Sequence, residues 1–176
     1  LIAIQAIITP ATALFAQNMQ EAAAFRALQN VVQLSANAAV ETQQDILTIT
    51  MNTTREAAEA NTVQTQLKTA LDAALAEAKK NATAGQLDVR TGNFSLYPRY
   101  ARDGKIAGWQ GSTELVLEGR DFAKISSTAG KIQTLTIGNV AFSLSREQRQ
   151  KVESEAQQIA IERFRSKAGD IAKSFG

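Results

Sequence analysis

The fold of this chain follows from residues 87–118, which read LDVRTGNFSLYPRYARDGKIAGWQGSTELVLE. The stretch predicts two strands, 87–100 and 105–118, because apolar side chains alternate along both halves. Between them lies Arg102-Asp103-Gly104, and Asp-Gly supplies the positive φ that a tight hairpin turn needs. Pro98 cannot donate a ladder hydrogen bond, so its strand is expected at a sheet edge or at a bulge. The hairpin therefore predicts an antiparallel sheet.

The sequence before this hairpin predicts two further strands and a helix. Residues 31–41 alternate between apolar and polar side chains, which indicates a half-buried strand. Residues 45–54 are rich in β-branched side chains and are expected to pair back on that strand as a first hairpin. Residues 58–81 then change to a spacing of 3.6, with an apolar stripe from Val63 to Ala78 opposite charged positions. This pattern predicts a long amphipathic helix.

The sequence after the hairpin predicts a short helix, a strand and a long helix. Asp121 is suited to cap the short helix, and residues 135–144 form a strand interrupted by Gly138-Asn139. Ser145 and Gln148 make a capping box for a helix that extends to residue 175. The predicted order is β-β-α-β-β-α-β-α. We therefore expect an α+β fold in which helices cover one face of a largely antiparallel sheet.

The first sixteen residues resemble the end of a signal peptide. Residues 1–16 are uncharged and mostly apolar, and they are too short to span a bilayer as a helix. Small residues suit cleavage after Ala16, which we favour, or after Ala13. No basic region precedes them, so an N-terminal structural helix stays open as the alternative. On the export hypothesis, residues 17–29 are a tether to a domain spanning 30–176, and the mature protein is periplasmic or secreted without a stable membrane span.

Composition removes several classes of function. The 176 residues contain no Cys and no His, with 19 Lys+Arg against 17 Asp+Glu for a net charge of +2. Disulfides, zinc sites built on Cys or His, and nucleophiles activated by His therefore lack their residues. A net charge of +2 is too small to predict a nucleic-acid partner. We expect no enzyme activity, no metal and no cofactor.

Several short motifs, in order along the chain, resemble the SIMPL family. The most specific are Tyr97-Pro98-x-Tyr100 and Gly108-Trp109-x-Gly111. They are accompanied by Asn30-Val31-Val32-Gln33-Leu34-Ser35-Ala36, Arg55-Glu56, Val63-Gln64-x-Gln66-Leu67, Arg90-Thr91-Gly92-x-Phe94 and Arg120-Asp121-Phe122. The series runs from about residue 30 to the last residue of the sequence.

The resemblance implies a location and a fold more than a mechanism. Bacterial members of the family are exported, are linked to tolerance of oxidative stress, and in at least one lineage assemble into large rings. They carry no established catalytic residues, and they continue with further strands beyond the helix that ends this sequence. The resemblance therefore predicts a domain truncated at its C-terminus. Protection from oxidants would have to be indirect or use Met19 and Met51, since Cys and His are absent.

The hairpin carries the richest local chemistry and the only predicted ligand site. Arg90 and Arg99 lie near Tyr97, Tyr100 and Trp109 in the sequence, and arginines among aromatic rings are suited to hold an anionic ligand. The competing interpretation is a hairpin whose rings pack on a helix while its charges stay solvated. Carboxylates are the other acid–base groups available, but their spacing does not predict a converging catalytic pair (Glu41, Asp45, Glu56, Glu114, Glu118).

These observations favour a non-enzymatic envelope protein that acts by forming a homo-oligomer or by binding a protein partner in the envelope. An unpaired sheet edge would offer the route, through strand addition between chains. The alternatives are a periplasmic small-ligand-binding protein or a hydrolase based on carboxylates. A weaker alternative, an RNA-binding α+β domain, requires the protein to stay in the cytosol, and export would exclude nucleic acid.

Overall fold

The computed structural model describes residues 31–175, so the predicted signal peptide and tether lie outside the described residues. Within this range four strands and three helices follow one another in the order β-α-β-β-α-β-α. The strands are β1 (Ile46–Ala57), β2 (Asp88–Tyr100), β3 (Ile106–Gly119) and β4 (Thr136–Ser143). The helices are α1 (Ala60–Lys79), α2 (Phe122–Lys131) and α3 (Arg146–Phe175). The predicted α+β class is confirmed.

The strands form one antiparallel sheet in the order β2-β3-β1-β4. The predicted hairpin is β2 and β3, and Gly104 in its turn has φ 79°, which a residue with a side chain rarely adopts. Pro98 lies opposite Trp109 on β2, which is an edge strand. The outer side of an edge strand has no neighbouring strand, so the missing N–H of proline removes no ladder hydrogen bond there. Both positions were expected from the sequence.

The predicted strand at residues 31–41 is wrong, and so is its hairpin with residues 45–54. The segment forms neither strand nor helix, although Leu34 and Ala36 are half-buried and Ser35 is exposed, as alternation predicted. Its expected partner, β1, is the central strand and is already paired with β3 on one side and β4 on the other. Because both edges of β1 are taken along much of its length, the segment cannot pair there.

One face of the sheet carries the hydrophobic core. Along β1 every second side chain from Leu47 to Thr53 is buried, and opposite them Leu115 and Leu117 of β3 are fully enclosed. Helices α1 and α2 cover this face with apolar side chains, and those of α1 form the stripe predicted from its spacing (Val63, Leu67, Ala70, Ala74, Ala78, Ile125, Ala129). We call the other side, which carries Thr48, Glu118 and their neighbours, the polar face.

The predicted cap at Asp121 is confirmed, and Ser145 caps its helix without the return bond of the predicted capping box, because the side-chain amide of Gln148 donates to Thr42 at 3.2 Å. Asp121 accepts a hydrogen bond from the backbone N–H of Lys124 at 2.9 Å, and the hydroxyl of Ser145 accepts one from the N–H of Gln148 at 3.2 Å. These bonds satisfy amides that would otherwise lack partners at the first turns of α2 and α3. Local sequence chemistry therefore fixes where these helices begin.

Residues 39–157 form one compact unit, and residues 31–38 with 158–175 form another. In the second unit, Arg163 donates to the carbonyl of Asn37 at 2.9 Å and Lys167 to that of Ser35 at 3.5 Å. These two carbonyls, which were predicted to pair with residues 45–54, therefore accept hydrogen bonds from side chains of α3. No side chain of α3 is buried within the described residues.

A search of the described helices for a membrane span found no candidate of sufficient length and hydrophobicity.

Candidate functional site

The structure places both predicted hairpin arginines on the polar face, each beside a carboxylate. Arg90 pairs with Glu118 at 3.3 Å, and Arg99 pairs with Glu56. All four side chains are between about two and three fifths exposed, with values from 41% to 61%. Exposed ion pairs of this kind contribute little to stability, about 0–1 kcal/mol each. The carboxylates do, however, neutralise the charge that an anionic ligand would need.

The five predicted ligand residues do not converge on one point. Arg90 and Arg99 are separated by nine positions of one strand, which puts their Cα atoms roughly 25–30 Å apart. Tyr97 lies near Arg99 on the polar face, opposite Gln110, whereas Tyr100 lies beside the turn and is 65% exposed. The hairpin therefore presents separate polar groups and builds no pocket that contains all five residues.

Trp109 lies at the opposite face from the two arginines. Its strand partners, Pro98 and Ala57, carry side chains on the helix-covered side, and its ring is half-buried. The glycine two positions on, Gly111, has no room for a side chain because a Cβ there would lie 2.6 Å from the carbonyl of Ser95 and 2.9 Å from Leu67. The glycine in this motif therefore serves the packing of α1 on β3.

The carboxylates form one notable cluster, at the junction of β1, β3 and α3. Asp45 accepts a hydrogen bond from the backbone N–H of Ser145 at 2.6 Å, and Arg120 lies 3.7 Å from Asp45 and 2.7 Å from Glu147. Hydrogen bonds from Ser145 hold the pKa of Asp45 below its usual 3.8. The pKa of Glu147 is also lowered, first by its own backbone N–H. This lowers proton affinity, the opposite of what a general acid needs.

Within residues 31–175, no three acidic side chains are grouped so that they could hold a metal ion.

The feature that sequence analysis missed is the outer edge of β4. Among residues 31–175 this strand pairs with β1 alone, and three of its large apolar side chains, on the helix-covered side of the sheet, are about half exposed: Ile137 54%, Val140 49% and Phe142 51%. Phe142 is packed on one side by Phe122 of α2, with ring centroids 5.5 Å apart. The alternation in residues 135–144 signals a strand, but a strand's place at the edge depends on pairing that spacing does not encode.

Comparison with sequence models of protein families gives a match. A search among curated proteins found none that matches the chain. The sequence model of the SIMPL family, described as a protein of unknown function (DUF541), matches residues 32–176. This range contains all seven described elements of secondary structure, including the hairpin whose motifs suggested the family. Since the match covers most of the sequence, the chain belongs to the SIMPL family.

Proposed function

We propose that this SIMPL protein is a non-enzymatic periplasmic protein that works by self-assembly through the outer edge of β4. The observation that carries the proposal is the half-exposed apolar row on that edge, Ile137, Val140 and Phe142. Edge strands with unpaired backbone groups are templates for another strand, and most soluble proteins protect them with charge or proline. The sequence of β4, TIGNVAFS, contains neither.

A second copy of the chain is the partner that fits this edge. Two β4 strands related by a two-fold axis would pair antiparallel and extend the four-stranded sheet across both subunits. The apolar side chains would then meet across the junction, where burial contributes about 25 cal/mol per Å² of apolar surface. Low net charge, +2 for the whole chain, would oppose this association only weakly.

The proposed role is that of a protein acting by shape and surface. The chain has no Cys or His, and the carboxylates of the Asp45 cluster are held in their ionised form. Any contribution to oxidative-stress tolerance would accordingly be indirect or use Met19 and Met51, of which Met51 is only 1% exposed. The periplasmic location rests on residues 1–16, and fractionation of cells that express the precursor tests it: recovery of the protein in the cytosol contradicts this part.

Light scattering over a range of protein concentrations tests the assembly. We expect the full chain to exceed the monomer mass, and Val140→Lys to return it to the monomer because the charge would be buried at the junction. The matched control is Ile106→Lys, which alters an apolar residue of similar exposure, 54% against 49% for Val140, at the start of β3. A wild-type chain that is monomeric at every concentration contradicts the proposal, as does assembly that survives Val140→Lys and is lost in the control.

A further inference from the structure

A pocket lined by polar side chains lies between α1 and the loop that precedes β4, away from both the hairpin arginines and the outer edge of β4. It has a volume of about 510 Å³, within the range of about 300–1,000 Å³ for small-molecule sites. Arg55 of β1 and Thr134 contribute to it, and Ala70 and Ala73 of α1 leave it space by having short side chains. The lining combines one cation and neutral polar side chains with a short apolar wall made by the two alanines.

Arg55 differs from the hairpin arginines because it has no acidic partner. Within residues 31–175 its guanidinium forms no ion pair, whereas Arg90 and Arg99 each have one and Arg120 has two. Arg55 is also half-buried, and its strand partner Gly111 lies on the helix-covered side of the sheet. A partly desolvated cation without a counter-ion attracts an anion more strongly than an exposed one does.

The guanidinium is held in position while part of it stays available. Its Nη1 donates to the hydroxyl of Thr53 at 2.7 Å and to the carbonyl of Thr54 at 2.9 Å. No hydrogen bond from Nη2 or Nε to another described residue accompanies these. Thr134 donates to the carbonyl of Ala70 at 2.8 Å and so fixes the loop to α1. Preorganised donors of this kind lose less entropy when a ligand binds.

The topology explains why the pocket exists. β4 pairs with β1 only as far as Asn52, so in the described part of the chain the last residues of β1, including Arg55, have no strand on that side. The loop before β4 crosses there, and Gln133 lines the pocket opposite Gln66 and Thr69 of α1. Arg55 therefore lies past the last residue of β1 that pairs with β4. Its side chain shares the pocket with the amides of Gln66 and Gln133, which are neutral and can donate hydrogen bonds.

From this arrangement we infer that the pocket binds a small monocarboxylate with a short apolar tail. The planar fork of one arginine matches the two oxygens of a carboxylate, with Gln66 and Gln133 as further donors. Ala70 and Ala73 provide the apolar wall for the tail. A phosphate dianion fits less well, because one arginine would leave it with uncompensated charge. This site is independent of the assembly proposed above.

Titration of the ¹⁵N-labelled full chain with sodium butyrate, followed by NMR, tests the inference. Butyrate is expected to shift the Arg55, Gln66 and Gln133 side-chain signals to saturation. Sodium chloride at equal ionic strength and n-butanol should not do so. Arg55→Gln is expected to weaken binding roughly tenfold to a hundredfold, the range for a charged hydrogen-bonded partner. Arg99→Gln, at the hairpin, should leave it unchanged.

A second variant separates loss of the site from loss of folding. Ala73→Leu fills the pocket from an exposed position of α1, and Ala76→Leu makes the same change at an exposed position outside the pocket. Only the first should abolish the butyrate shifts. The inference is overturned if butyrate never saturates the signals, if Arg55→Gln and Ala73→Leu both bind like wild type, or if inorganic phosphate binds more tightly than butyrate.

Discussion

Replacing Gly111 by alanine should destabilise the chain, because this glycine lets α1 pack directly on β3. An added Cβ would lie 2.6 Å from the backbone carbonyl of Ser95, 2.9 Å from Cδ1 of Leu67 and 3.2 Å from Cγ1 of Val63. The carbonyl belongs to the paired strand β2 and cannot rotate away as a side chain would. Overpacking of this kind typically costs about 1–3 kcal/mol of unfolding free energy.

The matched control is Gly130→Ala in α2. A Cβ at Gly130 meets no atom within 4 Å, and this position is exposed and helical. The same substitution should therefore raise the unfolding free energy, by about 0.5–1 kcal/mol, through helix propensity. The two variants are expected to change stability in opposite directions although each adds one methyl group.

Urea denaturation measures both changes, with the fluorescence of the single tryptophan, Trp109, as the probe next to Gly111. Circular dichroism of the helices supplies an independent signal. If Gly111→Ala is as stable as the wild type, the close packing of α1 on β3 described here is wrong. If Gly130→Ala loses as much stability as Gly111→Ala, the loss reflects glycine replacement in general.

Three further predictions concern buried or charged groups. Folding lowers the pKa of Asp45 from 3.8, so the stability contributed by its ionised carboxylate is present above that pH and is lost as pH falls through the folded pKa. The difference in unfolding free energy between wild type and Asp45→Asn should therefore shrink from pH 6 to pH 2, and a constant difference contradicts this. Thr128→Val should be neutral or stabilise by up to about 1 kcal/mol in thermal melts, because the buried Thr128 hydroxyl has no hydrogen-bond partner among the described residues; a loss above that size refutes it. Leu67→Ala should cost about 2–5 kcal/mol in urea, since Leu67 is 0% exposed; near-neutrality would contradict its place in the core.

Local chemistry made much of the fold predictable. The Asp-Gly turn of the hairpin and the caps at Asp121 and Ser145 each depend on residues within a few positions of one another. The apolar stripe of α1 likewise needs only spacing along one helix. Such features are encoded within a short window of sequence, which is why they could be identified before the structure.

Pairing over long distances was less predictable. Alternation in residues 31–41 indicated a half-buried strand, which was wrong, because spacing could not show that side chains of α3 would bind its carbonyls. The central place of β1 depends on β3 and β4, which follow it by many residues. The two candidate sites were also hard to predict from the sequence. The Arg55 pocket combines three separate segments, and the exposure of β4 depends on which strands pair with it.

Amide hydrogen exchange along β4, at low and at high protein concentration, tests the central claim most directly. If chains join through this edge, amides of Thr136–Ser143 should gain protection as concentration rises, while those of the opposite edge strand, β2, should not. Val140→Lys should remove the gain. Association that leaves β4 exchange unchanged, or that protects β2 instead, would contradict assembly through β4.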